Sequence, residues 1–265
     1  MTSVISKDGT AIAFDRIGAG EPVILVDGAL CYRASGPSGP LAAALADRFT
    51  VITYDRRGRG ESGNTAPYAV EREVEDLDAL VKEAGGSACV CGVSSGAALA
   101  LETASRIRSI TKLALYEAPC IVDDSRAPIP ADIVSQFDSL IAAGRRGDAV
   151  KLFMKLVGVP AAFILLMRIM PAWPKLTAVA HTLPYDMTIM QDLQRGRPLP
   201  AARWAALTAP TLVLDGGKSP VWMRNAARAL AGVLPTATYR TLDGQTHMVN
   251  AKVLGPVLTE FFGAA

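Results

Sequence analysis

Short apolar runs that alternate with amphipathic segments constrain the fold of this chain more than any other feature of its sequence. Each run ends at turn-forming or charged residues, which is typical of a strand that is buried on both faces of a sheet. The intervening segments have helical spacing, so the sequence predicts a mostly parallel central sheet flanked by helices, an α/β fold. The runs are PVILVDG, TVITYD, ACVCGV, TKLALYEAP, APTLVLDGG and ATYRTLDG.

One part of the chain interrupts this alternation. Residues 121–203 contain several prolines and apolar residues at helical spacing, but no good buried strand. We therefore expect a helical cap at 121–203, inserted into a core formed by residues 1–120 and 204–265. It should lie at the carboxyl edge of the sheet, where open α/β sheets bind ligands. Near the start of the chain, Asp8-Gly9 predicts a hairpin between two strands.

The composition disfavours several classes of function. Hydrophobic residues make up 50% of the 265 residues and charged residues 20%, which is typical of a globular chain. The net charge is +2 and the basic residues are scattered, so no nucleic-acid or membrane partner is predicted. The N-terminus does not resemble a signal peptide, and a cytoplasmic protein is expected. The cysteines lack zinc-site spacing, and the sequence has no metal, nucleotide or flavin motif, so neither a metal nor a cofactor is predicted. The oligomeric state stays open.

A strand, a tight turn and a helix are predicted around GVSSG, residues 92–96. The pattern is G-x-S-x-G with Ser94 at its centre, and the predicted strand and helix supply the context that this motif requires. Glycine at both ends permits a strained turn that lifts the Ser94 hydroxyl out of the sheet. The N–H of Ser95 then points toward any oxyanion formed there. The alternative is an ordinary turn in which a serine caps the helix.

A serine hydroxyl is a weak nucleophile and needs a base. The chain has two histidines. His247 follows the last apolar run, which places it at the same edge of the sheet as Ser94. His181 lies within the helical segment and has no comparable placement. We therefore predict that His247 is the base and that His181 has a structural role.

Four motifs occur in order along the chain: VILVDGAL, YDRRGRGES, GVSSG and GQTHMV. Together they resemble the α/β-hydrolase fold family, and the resemblance covers nearly the whole chain. It implies that Ser94 is the nucleophile and His247 the general base. It also implies that the backbone N–H groups of Ala29 and Ser95 form the substrate-binding oxyanion hole. The arginine-rich run is then a loop brace in which Asp55 pairs with an arginine.

Two positions depart from the family pattern. Asp27 stands before Gly28 where the family usually has histidine, and we expect its side chain to turn aside and bond to loop backbone. Ser219 stands where most relatives carry the acid of the triad, after the strand that follows the cap. Ser219 and Pro220 are then free to begin a helix, with the serine as its N-cap.

Three alternatives remain for the acid. We favour Glu117, at the end of TKLALYEAP, because haloalkane dehalogenases and some related family members carry their acid after this strand. Asp215 comes second, since it precedes the Gly-Gly turn and can serve that turn itself. The third alternative is that the acid has been lost.

A serine at the turn favours acyl transfer, in which its hydroxyl attacks a carbonyl group. Related dehalogenases and epoxide hydrolases instead use an aspartate at this position to attack an alkyl carbon. The resemblance implies a serine hydrolase that cleaves an ester, lactone or thioester of a small to medium, largely apolar small molecule. The alternatives are a cofactor-free perhydrolase, haloperoxidase-like or lyase activity on the same triad, and a non-catalytic binding protein. Residues that either pack the cap or line an apolar pocket are Phe153, Met154, Phe163, Ile164, Leu165, Leu166, Met167, Met170 and Trp173.

Overall fold

The computed structural model describes residues 2–264. Its strands form one sheet in the order β1-β2-β4-β3-β5-β6-β7-β8. β2 pairs antiparallel with β1 and β4, and all other pairs are parallel, which confirms the predicted mostly parallel sheet. The predicted hairpin joins β1 to β2. The strands are β1 (Thr2–Ile5), β2 (Ala11–Ile17), β3 (Glu21–Val26), β4 (Phe49–Tyr54), β5 (Ala88–Val93), β6 (Ile110–Tyr116), β7 (Thr211–Gly216) and β8 (Ala237–Leu242).

Helices cover both faces of the sheet, as predicted. α1 (Ser38–Leu45) and α10 (Ala251–Gly263) pack on one face, and α2 (Val70–Glu83), α3 (Ser95–Ala104) and α9 (Val221–Val233) pack on the other. Because each face has its own apolar layer, β5 and β7 are buried along their whole length.

The helical segment, residues 121–203, lies between β6 and β7 in the chain. Its own apolar cluster includes Leu30 from the loop after β3. Its last helix also contributes Ile189 and Met190 to the apolar cluster that contains residues of α3, so the segment packs against the core. Within residues 2–264, no helix is both long and apolar enough to cross a membrane. The helices are α4 (Ile133–Ala142), α5 (Arg146–Leu156), α6 (Ala161–Met167), α7 (Trp173–Val179) and α8 (Leu183–Met190), with a 3₁₀ turn at Ala180–Thr182 before α8 and another at Ala201–Trp204.

α9 begins later than the sequence predicted. Pro220 is its N-cap, and because the backbone there is extended (φ −54°, ψ 147°) the helix starts at Val221. The Ser219 hydroxyl is buried without a hydrogen-bond partner in the described chain, and a Cβ on Gly216 would lie 2.9 Å from it. The predicted serine N-cap is therefore wrong.

Candidate active site

Ser94 lies at the turn between β5 and α3. Its φ of 58° and ψ of −129° form a conformation that non-glycine residues rarely adopt. The turn is tight because the flanking glycines leave no space for side chains. A Cβ on Gly92 would lie 2.4 Å from the carbonyl oxygen of Gly96, and a Cβ on Gly96 would lie 2.2 Å from that of Val26. These close approaches hold Ser94 at the carboxyl edge of the sheet.

Backbone strain is concentrated at this edge. Leu30, Ser94 and Glu117 are the non-glycine residues with positive φ in residues 2–264, at 61°, 58° and 48°. Each follows a parallel strand, and those strands, β3, β5 and β6, are neighbours in the sheet. Such conformations cost about 1–3 kcal/mol each and are found most often at functional sites. The strain therefore marks a candidate site where the three strands end.

Glu117 and His247 form a hydrogen-bonded pair at this edge. Oε2 of Glu117 lies 2.8 Å from Nδ1 of His247, and Oε1 accepts a hydrogen bond from the Gly216 N–H at 2.7 Å. The Glu117 residue is only 1% exposed, so water does not compete for these contacts. The Ser94 N–H donates to the Tyr116 carbonyl oxygen at 2.9 Å, which places the carboxylate beside the serine turn.

The loop that carries His247 is held by the neighbouring strand ends. The Tyr116 hydroxyl donates to the carbonyl oxygen of Thr246 at 2.6 Å, and the Lys218 N–H donates to that of Gln245 at 2.8 Å. The Ser94 hydroxyl makes no hydrogen bond to His247 in the described residues. Contacts of this kind often close only when substrate binds. In this structure the hydrogen bond between His247 and Glu117 is therefore formed, and the one between Ser94 and His247 is not.

The other predicted candidates lie apart from this pair. Asp215 is fully buried, and its Oδ2 accepts a hydrogen bond from the Tyr239 hydroxyl at 2.7 Å rather than contacting His247. Nδ1 of His181 lies 3.2 Å from the Ala178 carbonyl oxygen, in the turn before α8. Of the two acids weighed from the sequence, the structure brings Glu117 to the histidine.

Two backbone N–H groups are candidates for an oxyanion hole. The Ser95 N–H is the first of α3, where no acceptor exists within the helix. Ala29 follows Gly28, and a Cβ on Gly28 would lie only 2.9 Å from the Cβ of Ser94. Glycine at that position therefore lets the loop after β3 approach the serine, and it brings the Gly28–Ala29 peptide beside the serine side chain.

Asp27 is buried beneath the same loop. It is 2% exposed, and a Cβ on Gly36 would meet its Oδ2 at 2.7 Å. Neither carboxylate oxygen has a hydrogen-bond partner in residues 2–264, and Ser38 lies close without forming a bond of good geometry, so the predicted bond to loop backbone is not formed. Burial raises the pKa of Asp27 to about 6, and Ser38 with the guanidinium groups of Arg59 and Arg56 offsets only part of that rise.

Replacing Asp27 by asparagine is expected to stabilise the protein more at alkaline pH than at acidic pH. Folding raises the pKa of Asp27 from 3.8 to about 6, so the protein loses stability as the pH rises through that range. Asp27→Asn lacks this ionisation, so its advantage in unfolding free energy should grow by at most about 3 kcal/mol between about pH 4 and pH 8. Urea unfolding measures the difference, and an advantage independent of pH would contradict this account of Asp27.

The arginines of YDRRGRGES are buried against carboxylates rather than available to an anion. Asp55 has an arginine partner, as expected, but that partner is Arg33, outside the run, with Nε 3.1 Å from Oδ2. The arginines of the run are each no more than 1% exposed: Arg56, Arg57 and Arg59. Their carboxylate partners are Asp8, Glu73, Asp76 and Asp186.

Asp186 was not found by sequence reasoning. It lies on α8, is fully buried, and accepts a hydrogen bond from the Ser95 hydroxyl at 2.7 Å. The one signal in the sequence is weak: Asp186 is the first acidic residue after residues 149–185, which contain neither aspartate nor glutamate.

Comparison with known proteins identifies the family. A model of the alpha/beta hydrolase family matches residues 14–252. The chain belongs to the alpha/beta hydrolase family. The crystal structure of an alpha/beta hydrolase from Sphaerobacter thermophilus is 53% identical to it, with a TM-score of 0.91 over 98% of this chain and 100% of that chain.

Two more distant relatives of this alpha/beta hydrolase have named activities. The enol-lactonase from Burkholderia xenovorans has a TM-score of 0.73 at 19% identity, over 99% of this chain and 100% of that chain. The putative non-heme bromoperoxidase BpoC from Mycobacterium tuberculosis is 33% identical over 92 residues. That match spans 34% of this chain and only 35% of the bromoperoxidase. The enol-lactonase supports the fold, and neither relative assigns a substrate.

Proposed function

We propose that this alpha/beta hydrolase cleaves a carboxylic ester, lactone or thioester through an acyl-enzyme on Ser94. The observation that carries the proposal is the 2.8 Å contact between Glu117 and His247 beside the strained serine turn. A carboxylate on the Nδ1 side of a histidine holds the proton there, so the other ring nitrogen, Nε2, is free to accept one. That is the tautomer that a general base requires.

The reaction then follows from these groups. His247 Nε2 takes the proton of Ser94 Oγ as that oxygen attacks the substrate carbonyl, and Glu117 stabilises the resulting imidazolium. The N–H groups of Ala29 and Ser95 bind the oxyanion, and losing one such donor costs about 2.7–4 kcal/mol of barrier. Collapse of the tetrahedral intermediate expels the alcohol or thiol, which takes the proton from His247. Water then attacks the acyl-enzyme as His247 takes its proton, and His247 passes that proton to Ser94 Oγ as the acid is released.

We infer that residues 121–203 act as a cap over a core formed by residues 1–120 and 204–265. Ala29 and Leu30 pack in the apolar cluster of this segment, so an acyl group held at the oxyanion hole lies beside an apolar surface. A small to medium, largely apolar acyl group suits that surface. Within the segment, Ile164 is buried. Other apolar side chains nearby are exposed and so do not pack the cap onto the core: Phe163, Leu165, Leu166 and Met170.

Hydrolysis of p-nitrophenyl esters of graded acyl length tests the proposal. We expect the wild-type enzyme to hydrolyse the short and medium esters, and Ser94→Ala to lower kcat at least about 10⁴-fold, because the nucleophile is removed. Ser94→Ala that retains wild-type activity would contradict the assignment of the nucleophile.

The match to the bromoperoxidase favours a second candidate function, perhydrolysis. Hydrogen peroxide would then replace water in the attack on the acyl-enzyme and give a peracid, which oxidises bromide. Bromination of monochlorodimedone in acetate, peroxide and bromide distinguishes the two. A turnover similar to that of ester hydrolysis supports perhydrolysis, and bromination no faster than in Ser94→Ala supports the hydrolase.

A further inference from the structure

A buried ionic cluster joins the candidate oxyanion hole to the helical segment. Asp186 of α8 lies at its centre: Oδ1 lies 2.7 Å from Nη1 of Arg56, and Oδ2 lies 2.7 Å from Nη2 of Arg59. Burial alone would raise the pKa of Asp186, but the guanidinium groups of Arg59 and Arg56 and the Ser95 hydroxyl outweigh it and hold the pKa below its usual value. Asp186 is thus a fully buried carboxylate in its charged form, held between two cations.

The first link from this carboxylate runs directly to Ser95. The Ser95 hydroxyl donates to Oδ1 of Asp186 at 2.7 Å, and a hydrogen bond to an ionised acceptor is stronger than one between neutral groups. Ser95 is also the first residue of α3, and its backbone N–H is one of the two oxyanion donors. The contact therefore restricts the residue that carries that donor.

The second link runs through Arg59 to the loop after β3. Nη1 of Arg59 donates to the Gly28 carbonyl oxygen at 2.6 Å, and its Nε donates to the Thr182 hydroxyl at 3.1 Å. The Gly28 carbonyl and the Ala29 N–H belong to one trans peptide unit and point in opposite directions. Holding the carbonyl therefore sets the direction of the Ala29 N–H, and the guanidinium charge polarises the same peptide.

We propose that Asp186 is a positioning residue that orients both oxyanion donors, Ser95 directly and Ala29 through Arg59. This rests on the proposed function, since it assigns how the oxyanion hole of that site is held. Two acceptors of Arg59, Asp186 and Thr182, belong to the helical segment. The two oxyanion donors, the N–H groups of Ala29 and Ser95, belong to the core formed by residues 1–120 and 204–265. The oxyanion hole is therefore complete only while α8 packs against this core.

The variant Asp186→Asn tests the proposal. The amide keeps the shape of the side chain but has one acceptor oxygen instead of two, so the contact either to Ser95 and Arg56 or to Arg59 is lost. We expect kcat for a p-nitrophenyl ester to fall about 10- to 100-fold. KM should stay within about twofold, because the oxyanion forms only in the transition state.

A boronic acid inhibitor separates positioning from folding. Its tetrahedral adduct on Ser94 places a negative oxygen in the oxyanion hole, so its inhibition constant should rise about 10- to 100-fold in Asp186→Asn, in parallel with the loss of kcat. A merely structural role of Asp186 would reduce the fraction of folded enzyme, which lowers the apparent kcat and leaves the inhibition constant unchanged.

Asp76→Asn is the matched control. Asp76 is 1% exposed and accepts two hydrogen bonds from Arg57, at 2.8 and 2.7 Å, but neither residue touches an oxyanion donor. Asp76→Asn should lower stability and leave kcat and the boronate inhibition constant within about twofold of wild type. Ser95→Ala provides a second variant, because it keeps the backbone N–H and removes only the hydroxyl. Its boronate inhibition constant should rise about 3- to 10-fold.

Each outcome decides the proposal. If Asp186→Asn folds with wild-type kcat and inhibition constant, the positioning role is overturned while the proposed function stands. If Asp186→Asn does not fold, a raised inhibition constant in Ser95→Ala supports the role and an unchanged one overturns it. If the wild-type enzyme neither hydrolyses the ester nor binds the boronic acid, the proposed function fails and the positioning role fails with it.

Discussion

Replacing Glu117 by glutamine is expected to lower kcat for an activated ester about 10⁴-fold, with KM nearly unchanged. The glutamine oxygen can still accept the hydrogen bond from the Gly216 N–H, so the side chain should keep its place. Its amide group then faces Nδ1 of His247 and donates to it, which moves the ring proton to Nε2. In that tautomer His247 does not accept the proton of Ser94. Steady-state kinetics on p-nitrophenyl acetate measure the loss.

Asp215→Asn is the control for this prediction, because Asp215 is a buried carboxylate at the end of the adjacent strand. It accepts a hydrogen bond from the Tyr239 hydroxyl at 2.7 Å. An asparagine oxygen can accept the same bond, so kcat should stay within about threefold of wild type. If Asp215→Asn suffers the large loss and Glu117→Gln does not, the assignment of the acid is wrong.

The second large effect is expected at Gly96, where alanine should destabilise the protein by about 3 kcal/mol or more. An added Cβ would lie 2.2 Å from the carbonyl oxygen of Val26 and 2.6 Å from that of Asp27. Both are backbone atoms at the end of β3, and neither can rotate away as a side chain does. α3 must therefore move away from β3, which disturbs the Ser94 turn and the oxyanion hole together. Urea unfolding measures the stability of Gly96→Ala, and ester hydrolysis the remaining activity.

Gly232→Ala is the control for steric conflict at a helical glycine. Gly232 lies within α9, and a Cβ there would meet no atom within 4 Å. Alanine should therefore stabilise the protein by about 0.5–1 kcal/mol through its higher helix propensity. Wild-type stability and activity in Gly96→Ala would show that α3 packs less closely on β3 than the structure describes.

The fold and the serine turn could be predicted from the sequence because both are encoded locally. β5 and β7 are buried along their whole length, so most of their residues are apolar and both strands stand out in the sequence. The Ser94 turn carries its context with it, since a strand precedes it, a helix follows it and glycines flank the serine. Such features require no knowledge of which distant residues meet.

Contacts between residues far apart in the sequence are harder to predict. Glu117 and His247 are 130 positions apart, and the residues alone left Glu117 and Asp215 open until a family resemblance favoured the first. Ser95 and Asp186 are 91 positions apart, and no local pattern marks that pair. The serine cap predicted for α9 failed for a different reason: the extended backbone of Pro220 delays the start of the helix.

Labelling with a fluorophosphonate, followed by peptide mapping, tests the central claim most directly. The claim is that Ser94 is a nucleophile activated by His247. We expect wild-type protein to be phosphonylated on Ser94, His247→Ala to react much more slowly, and Ser94→Ala to remain unlabelled. Ester hydrolysis by wild-type protein without labelling of Ser94, or labelling that persists in Ser94→Ala, would contradict the account.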